Sequence, residues 1–104
     1  MSIIKKVEEI IKQAINNAGY EVDKVVLEIS GRPDLGEYQI NNAFNLGKQN
    51  HCNPREVAEK IVMELEKESM FTNINIAGAG FINISFTDEF YVKTYDEMAK
   101  VFPN

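Results

Sequence analysis

The stretch that most constrains this chain is INIAGAGFINISF, Ile74 to Phe86. In it Ile74 and Ile76, then Ile82, Ile84 and Phe86, alternate with polar or small residues on either side of Gly78-Ala79-Gly80. A period of two puts the apolar residues on one face of a strand, and a glycine-rich break between two such runs reads as an antiparallel hairpin. The AGAGF segment is not a phosphate loop, because strand rather than helix follows it and no helix N-terminus stands there to receive an anion. A hairpin with one apolar face needs a cover, and the rest of the chain is patterned to supply it.

From Ile3 to Ala18 the apolar residues Ile3, Ile4, Val7, Ile10, Ile11, Ala14, Ile15 and Ala18 form a helical stripe, which Gly19 ends. KVVLEIS, Lys24 to Ser30, sets Val25, Leu27 and Ile29 against Val26, Glu28 and Ser30, as a strand with one buried face would, until Gly31-Arg32-Pro33-Asp34 breaks it. Gly36 to Gln39 reads either as a short strand or as an irregular loop, and Ile40 to Gly47 as a helix through Ile40, Ala43 and Phe44. Asn53 is an N-cap with Pro54 at the first helical position and Glu56 placed to reach back to the cap amide. Val57, Ala58, Ile61, Val62 and Leu65 carry that helix on, and Glu64, Glu66 and Glu68 lie at its solvated end rather than forming an acid-base pair. Thr87 caps a last helix with Asp88 and Glu89 in its first turn and an apolar side of Phe90, Tyr91, Tyr95, Met98, Val101 and Phe102. The order α-β-α-α-β-β-α predicts a single α+β domain over residues 1–104. Its sheet should be mainly antiparallel, of three to four strands, with about four helices packed on one face.

At 104 residues there is no room for a second domain of ordinary size. No run approaches the roughly 20 apolar residues that span a bilayer, and the N-terminus mixes charges unlike a signal sequence, so the cytosol is the expected compartment and no membrane partner is expected. Cys52 is the single cysteine and His51 the single histidine, which excludes an internal disulfide and leaves neither a metal set nor a nucleophile-base pair with an orienting third group. No cofactor is expected. The net charge of −5, from 11 basic and 16 acidic residues, counts against a protein that holds nucleic acid mainly by neutralising phosphates. A basic group could draw on Arg32, Lys48, Arg55 and Lys60, opposed by Asp34, Glu37, Glu56 and Glu59.

DLGEYQINNAFNLGK, Asp34 to Lys48, packs a glycine turn, a tyrosine and three amides into one segment. A Tyr38 ring held outward could stack on an unpaired base, worth ~1 to 3 kcal/mol; the same residue also reads as a core tyrosine with its hydroxyl paired at the surface. Gln39, Asn41 and Asn42 can donate and accept, which suits base edges, though each is also an ordinary cap. Gly36 permits a close approach that a side chain would block. Arg55, at a helix N-terminus, is better placed than Arg32 to hold a phosphate.

Followed by NPREVAEKI (Asn53 to Ile61) and INIAGAGFINISF, the segment resembles the N-terminal appended domain of arginyl-tRNA synthetases from roughly Val25 to Phe86. The resemblance implies an α+β appendage that precedes a catalytic domain and holds the D-loop at the tRNA elbow. The family pattern at positions 34 to 39 is aspartate, an aromatic or aliphatic residue, glycine, an acid, tyrosine and glutamine, kept here with Leu35 and Glu37. Expected tRNA contacts are therefore Leu35, Gly36, Tyr38, Gln39, Asn41, Asn42 and Arg55, with the aliphatic Leu35 weakening any aromatic platform at its position. Ala79 stands where the family commonly has proline. Phe81 and Asn83 flank the sheet face opposite Ile82 and Ile84, where the family leads into its catalytic domain, and the final helix is expected to cover that surface here.

A whole synthetase of this class would continue into a domain carrying the HIGH and KMSK signatures and then an anticodon-binding domain. Neither signature occurs in this sequence. The chain is expected to be non-enzymatic alone, though within a larger chain it would serve an arginine-tRNA ligase. It reads as a free-standing paralogue or an excised fragment, and Met1 favours the former. The first functional reading is a non-catalytic module that binds the elbow of arginine tRNA, with a synthetase body in trans as a further partner. The alternative is a protein-interaction or regulatory domain that no longer binds tRNA and meets another chain, or itself, through the final helix.

Overall fold

The structure, a computed structural model, describes the backbone of residues 3–101 and the side chains of residues 3–94. In chain order the elements are α1 (Ile3–Asn17), β1 (Leu27–Ile29), β2 (Tyr38–Ile40), α2 (Asn42–Gln49), α3 (Pro54–Leu65), β3 (Phe71–Ala77), β4 (Phe81–Phe86) and α4 (Asp88–Val101). The four strands form one antiparallel sheet in the order β1-β2-β4-β3. Register sets Leu27, Ile40, Ile82 and Ile76 in one row and Glu28, Gln39, Asn83 and Asn75 in the next. The expected hairpin is β3-β4, with Gly78 at φ +57 where it turns. A β-bulge lies between Thr72 and Asn75, where Asn73 takes φ +56.

Because side chains alternate along each strand, the two rows face opposite ways. The apolar face, with Ile40, Ile82 and Ile84 fully buried, meets the stripes Val7, Ile11 and Ile15 of α1 and Val57, Ala58, Ile61 and Leu65 of α3. Each such valine, isoleucine or leucine contributes about 1.5 to 3 kcal/mol on burial. Helix α3 lies on β3 and β4, α1 packs beside α3, and α4 packs on α1. The caps follow the sequence. Asn53 Oδ1 accepts from the Arg55 N–H at 2.9 Å and Thr87 Oγ1 from the Phe90 N–H at 3.2 Å. The reciprocal bond from the Glu56 carboxylate does not form among the described residues.

Three expectations need correction. Ile40 does not open a helix; it closes β2, paired with Leu27 and Ile82 and removed from solvent, so strand pairing overrides the helical spacing of Ile40, Ala43 and Phe44. The order therefore gains a strand, and α2 starts two residues later. The ladder β1 is only the second half of the expected run: the Asn42 amide binds the first half, its Oδ1 accepting from the Val26 N–H at 2.8 Å and its Nδ2 donating to the Lys24 carbonyl at 2.9 Å. Ile29 is 66% exposed, since β1 is an edge strand flanked only by β2. Of the expected apolar side of α4, the side chains of Tyr95, Met98 and Val101, and Phe102 altogether, lie outside the described residues.

Asn42 is therefore the joint between the α1-β1 connection and α2. Asn42→Ala removes two partly buried hydrogen bonds, with the Val26 N–H and the Lys24 carbonyl, and should lower unfolding free energy by about 1 to 3 kcal/mol. In urea this appears as a fall in the midpoint at unchanged slope. The neighbouring Asn41→Ala should change stability by no more than about 0.5 kcal/mol, since Asn41 Oδ1 is buried without a partner among the described residues. Equal effects of the two would remove the joint from Asn42.

Candidate nucleic-acid interface

The sheet face turned away from α1 and α3 is polar, and its centre is nevertheless dry. Asn83, in the middle of β4, has no solvent exposure, and Ser85 is buried beside it. The segment between β1 and β2 folds across them. Asn83 Nδ2 donates to Asn75 Oδ1 at 3.2 Å, and Asn83 Oδ1 accepts from Gln39 Nε2 at 3.4 Å and from Ser30 Oγ at 3.5 Å. Asn75 Nδ2 in turn donates to the Leu35 carbonyl, and the Glu37 N–H donates to the Ile84 carbonyl at 3.0 Å. Gly36 makes this crossing possible: a Cβ there would stand 3.0 Å from Asn83 Cβ and 3.1 Å from the Ile84 backbone N and O. The expected close approach at Gly36 is thus between two parts of the chain.

Tyr38 does not face outward. As a β2 residue in line with Ile40 it points into the apolar side, 8% exposed, and its ring meets Phe86 edge-on at 5.2 Å. Its hydroxyl bonds that of Tyr91, and Tyr91 donates to the Glu37 carboxylate at 2.6 Å. Of the two readings of Tyr38, this is the core tyrosine with its hydroxyl paired. Asn42 is likewise turned inward with both ends of its amide spent, so the three amides do not form one reading surface. Gln39 is half-buried and holds Asn83; Asn41 is half-buried and donates to Glu28 at 3.4 Å. Leu35 is half-buried and serves through its carbonyl. Arg32 is engaged by Asp34 at 2.9 Å, both well exposed, and this contact raises the guanidinium pKa and lowers the carboxyl.

What remains open lies at the hairpin end. Phe81 shares the polar face with Asn83, keeps 39% of its surface exposed, and stands edge-on to Phe44 of α2 at 4.7 Å. Arg55 is exposed and fastens α3 to this turn by donating from Nη1 to the Gly78 carbonyl at 2.7 Å, which leaves the rest of its fork for solvent. Phe81 was the residue that sequence reasoning undervalued. The available signal was an aromatic ring at a position of the strand whose companions, Asn83 and Ser85, are polar. Nor does α4 cover this surface: it packs on the opposite side, with Phe90 stacked on Phe86 at 4.5 Å.

Other chemistries find no support among the described residues. No group of three His, Cys, Asp or Glu side chains could hold a metal ion, and no helix is long and apolar enough to cross a membrane. Exposed His51 and half-buried Cys52 occupy the turn between α2 and α3.

Residues 5–86 match the family model described as the arginyl tRNA synthetase N terminal domain. The arginine–tRNA ligase of Alteromonas mediterranea is 40% identical over 76 residues, 73% of this chain and 13% of that protein. That of Colwellia psychrerythraea is 34% identical over 101 residues, 96% of this chain and 17% of that protein. Similar folds occur in arginyl-tRNA synthetase from Plasmodium falciparum, with TM-score 0.75 and 22% identity over 92% of this chain and 18% of that one. The Thermus thermophilus arginyl-tRNA synthetase gives TM-score 0.71 and 20% identity over 88% and 15% of the two chains. The chain thus spans between 13% and 18% of the length of these relatives, and the shared fold is the four-helix, four-strand domain described above.

Burial first, and then the bond to the Glu37 carboxylate, push the Tyr91 phenol far above its ordinary 10.0. Burial also raises Tyr38. A raised folded pKa favours the neutral phenol, so this contribution to stability is complete below pH ~10 and is lost as the unfolded phenol ionises above it. The urea midpoint should therefore fall steeply from about pH 10 upward. Tyr91→Phe should flatten that fall while costing about 1 kcal/mol at neutral pH. An unchanged alkaline profile in the variant would place the sensitivity elsewhere.

Proposed function

The chain belongs to the arginyl-tRNA synthetase N-terminal domain family, and from that membership we propose that it is a non-catalytic module that docks the D-loop at the elbow of arginine tRNA. The observation that carries this reading is Phe81, an aromatic ring exposed on an otherwise polar sheet face and held edge-on by Phe44. A splayed loop base needs a ring face to stack on and amide groups to meet its edge. Phe81 offers the first, while Gln39, half-buried on the same face, offers an amide for the second. Arg55, braced on the Gly78 carbonyl, presents its remaining N–H groups next to the ring for a phosphate. Tyr38, Asn42, Gly36 and Leu35 support this surface from below, setting the strand and loop that carry it.

A net charge of −5 argues that ring and amide contacts, rather than phosphate neutralisation, provide what this domain adds. The main electrostatic hold then falls to the catalytic body of a synthetase, in the same chain or in trans. Activation of arginine belongs to that body, and the described residues present no nucleotide loop or metal set for it.

Anisotropy of labelled arginine tRNA at low and near-physiological salt, beside a non-cognate tRNA, tests the proposal. Phe81→Ala should weaken binding about 5- to 100-fold, the equivalent of one lost stacked base. Tyr38→Phe should leave affinity within about twofold. Absence of saturable binding at low salt, or a Phe81→Ala variant that binds like the parent, would sink the reading. Arginine-dependent exchange of pyrophosphate into ATP by the purified chain would overturn its non-catalytic part.

A further inference from the structure

A recess lies beyond α2 from the hairpin. It is an open groove of about 890 Å³ between the C-terminal half of α1, the connection that follows it and the outer side of α2. That volume is in the range of sites that hold small polar molecules. Asn16, Asn45 and Gln49 line it with carboxamides, and Lys12 and Lys24 with ammonium groups. Among the described residues, no intramolecular hydrogen bond or ion pair engages any of these five groups. Val26 and Leu46 supply apolar wall, while Glu21 and Asp23 balance the two lysines.

Helix α2 joins this groove to the exposed ring. On its solvent side Phe44 touches Phe81, the next residue Asn45 enters the groove, and exposed Lys48 follows one turn after Phe44. The helix is about 12 Å long, which one extended strand can bridge. The groove's chemistry selects what can lie in it. Carboxamides donate and accept, as base edges require. Two carboxylates against two ammonium groups leave no surplus positive charge for a polyphosphate, yet carboxylates accept readily from ribose hydroxyls.

Resting on the reading that Phe81 stacks an RNA base, we propose that this groove receives a second unpaired ribonucleotide of the same strand. Asn16, Asn45 and Gln49 read its base edge, and Glu21 or Asp23 accepts from its 2′-hydroxyl. Lys48, between the two positions, meets the connecting phosphate. The domain then holds two points of one loop rather than a single stacked base.

Titration of isotope-labelled chain with arginine tRNA, followed by the side-chain amide signals of Asn16, Asn45 and Gln49, tests this directly. The signals should move together with those of Phe81. Asn45→Ala combined with Gln49→Ala, both exposed positions, should weaken tRNA binding about 5- to 50-fold with unchanged thermal midpoint. A tRNA carrying 2′-deoxy sugars in its D-loop should bind more weakly to the parent but not to that double variant. If Phe81 responds and Phe81→Ala loses affinity while the groove signals stay fixed and the double variant binds normally, the groove inference is overturned and the elbow reading stands. Failure of the parent chain to bind tRNA in any of these measurements overturns both.

Discussion

The buried carboxamide of Asn83 is the constraint around which this domain is arranged. It sits at the centre of the sheet on the side that has no helix, with no solvent exposure, and it would cost about 1 to 3 kcal/mol for each polar atom left unpaired there. Its partners come from three places: Asn75 on β3, Gln39 on β2 and Ser30 at the end of β1. Those bonds require the strands to be in one register and the loop from Ser30 to Gly36 to lie flat across them. Gly36 eases this crossing, since a Cβ there would stand 3.0 to 3.1 Å from Asn83 Cβ and the Ile84 backbone and force them to give by a few tenths of an ångström. One amide thereby ties three strands of the sheet to the loop between β1 and β2.

That arrangement divides the labour between the two faces. The helix-covered face carries the hydrophobic stabilisation, with Ile40, Ile82 and Ile84 fully buried and an aromatic cluster of Tyr38, Phe71, Phe86, Phe90 and Tyr91 toward α4. The opposite face is sealed by hydrogen bonds at its centre and left open at the hairpin end, where Phe81 emerges. An exposed ring on the free side costs the fold little, because stability is already secured on the other side, and Phe44 keeps its geometry fixed. Tyr91 binds the two halves together, reaching from α4 to Glu37 in the crossing loop at 2.6 Å.

Elements whose signal is local were legible in the sequence. The α1 stripe, the Asn53 and Thr87 caps and the glycine turn of the hairpin each depend on a few neighbouring residues, and each formed as read. What was not legible depends on pairing between distant segments. Ile40, Ala43 and Phe44 satisfy a helical spacing, but Ile40 finds Leu27 and Ile82 beside it only after β1 and β4 have been brought together from 13 and 42 residues away. Tyr38 follows from the same pairing: once Ile40 faces the core, so must the residue two positions before it. The candidate site moved for that reason. The segment from Asp34 to Lys48, read from sequence for its tyrosine and amides, builds the loop, β2 and the start of α2, while the exposed ring sits on β4, in a run read as a hairpin.

Charge decides what such a surface can contribute. Near the hairpin the exposed positive charge rests on Arg55, which keeps its charge while donating to the Gly78 carbonyl, and on Lys48 one turn from Phe44, in a chain whose net charge is −5; Arg32 lies in the β1-β2 loop and is bound to Asp34. Affinity from phosphate neutralisation falls steeply with salt, whereas stacking and amide contacts depend on it weakly. An appendage built on a ring and amides therefore adds a contact whose strength is nearly constant across ionic conditions, and whose selectivity comes from loop shape. Under the proposed function, a catalytic body would have to supply the long-range attraction that this acidic domain lacks. Joined, the two multiply, because a second contact made by an already tethered partner benefits from its high effective concentration even when it is weak alone. On that arithmetic the net charge of −5 is compatible with the proposed docking, and it disfavours binding driven by phosphate attraction alone.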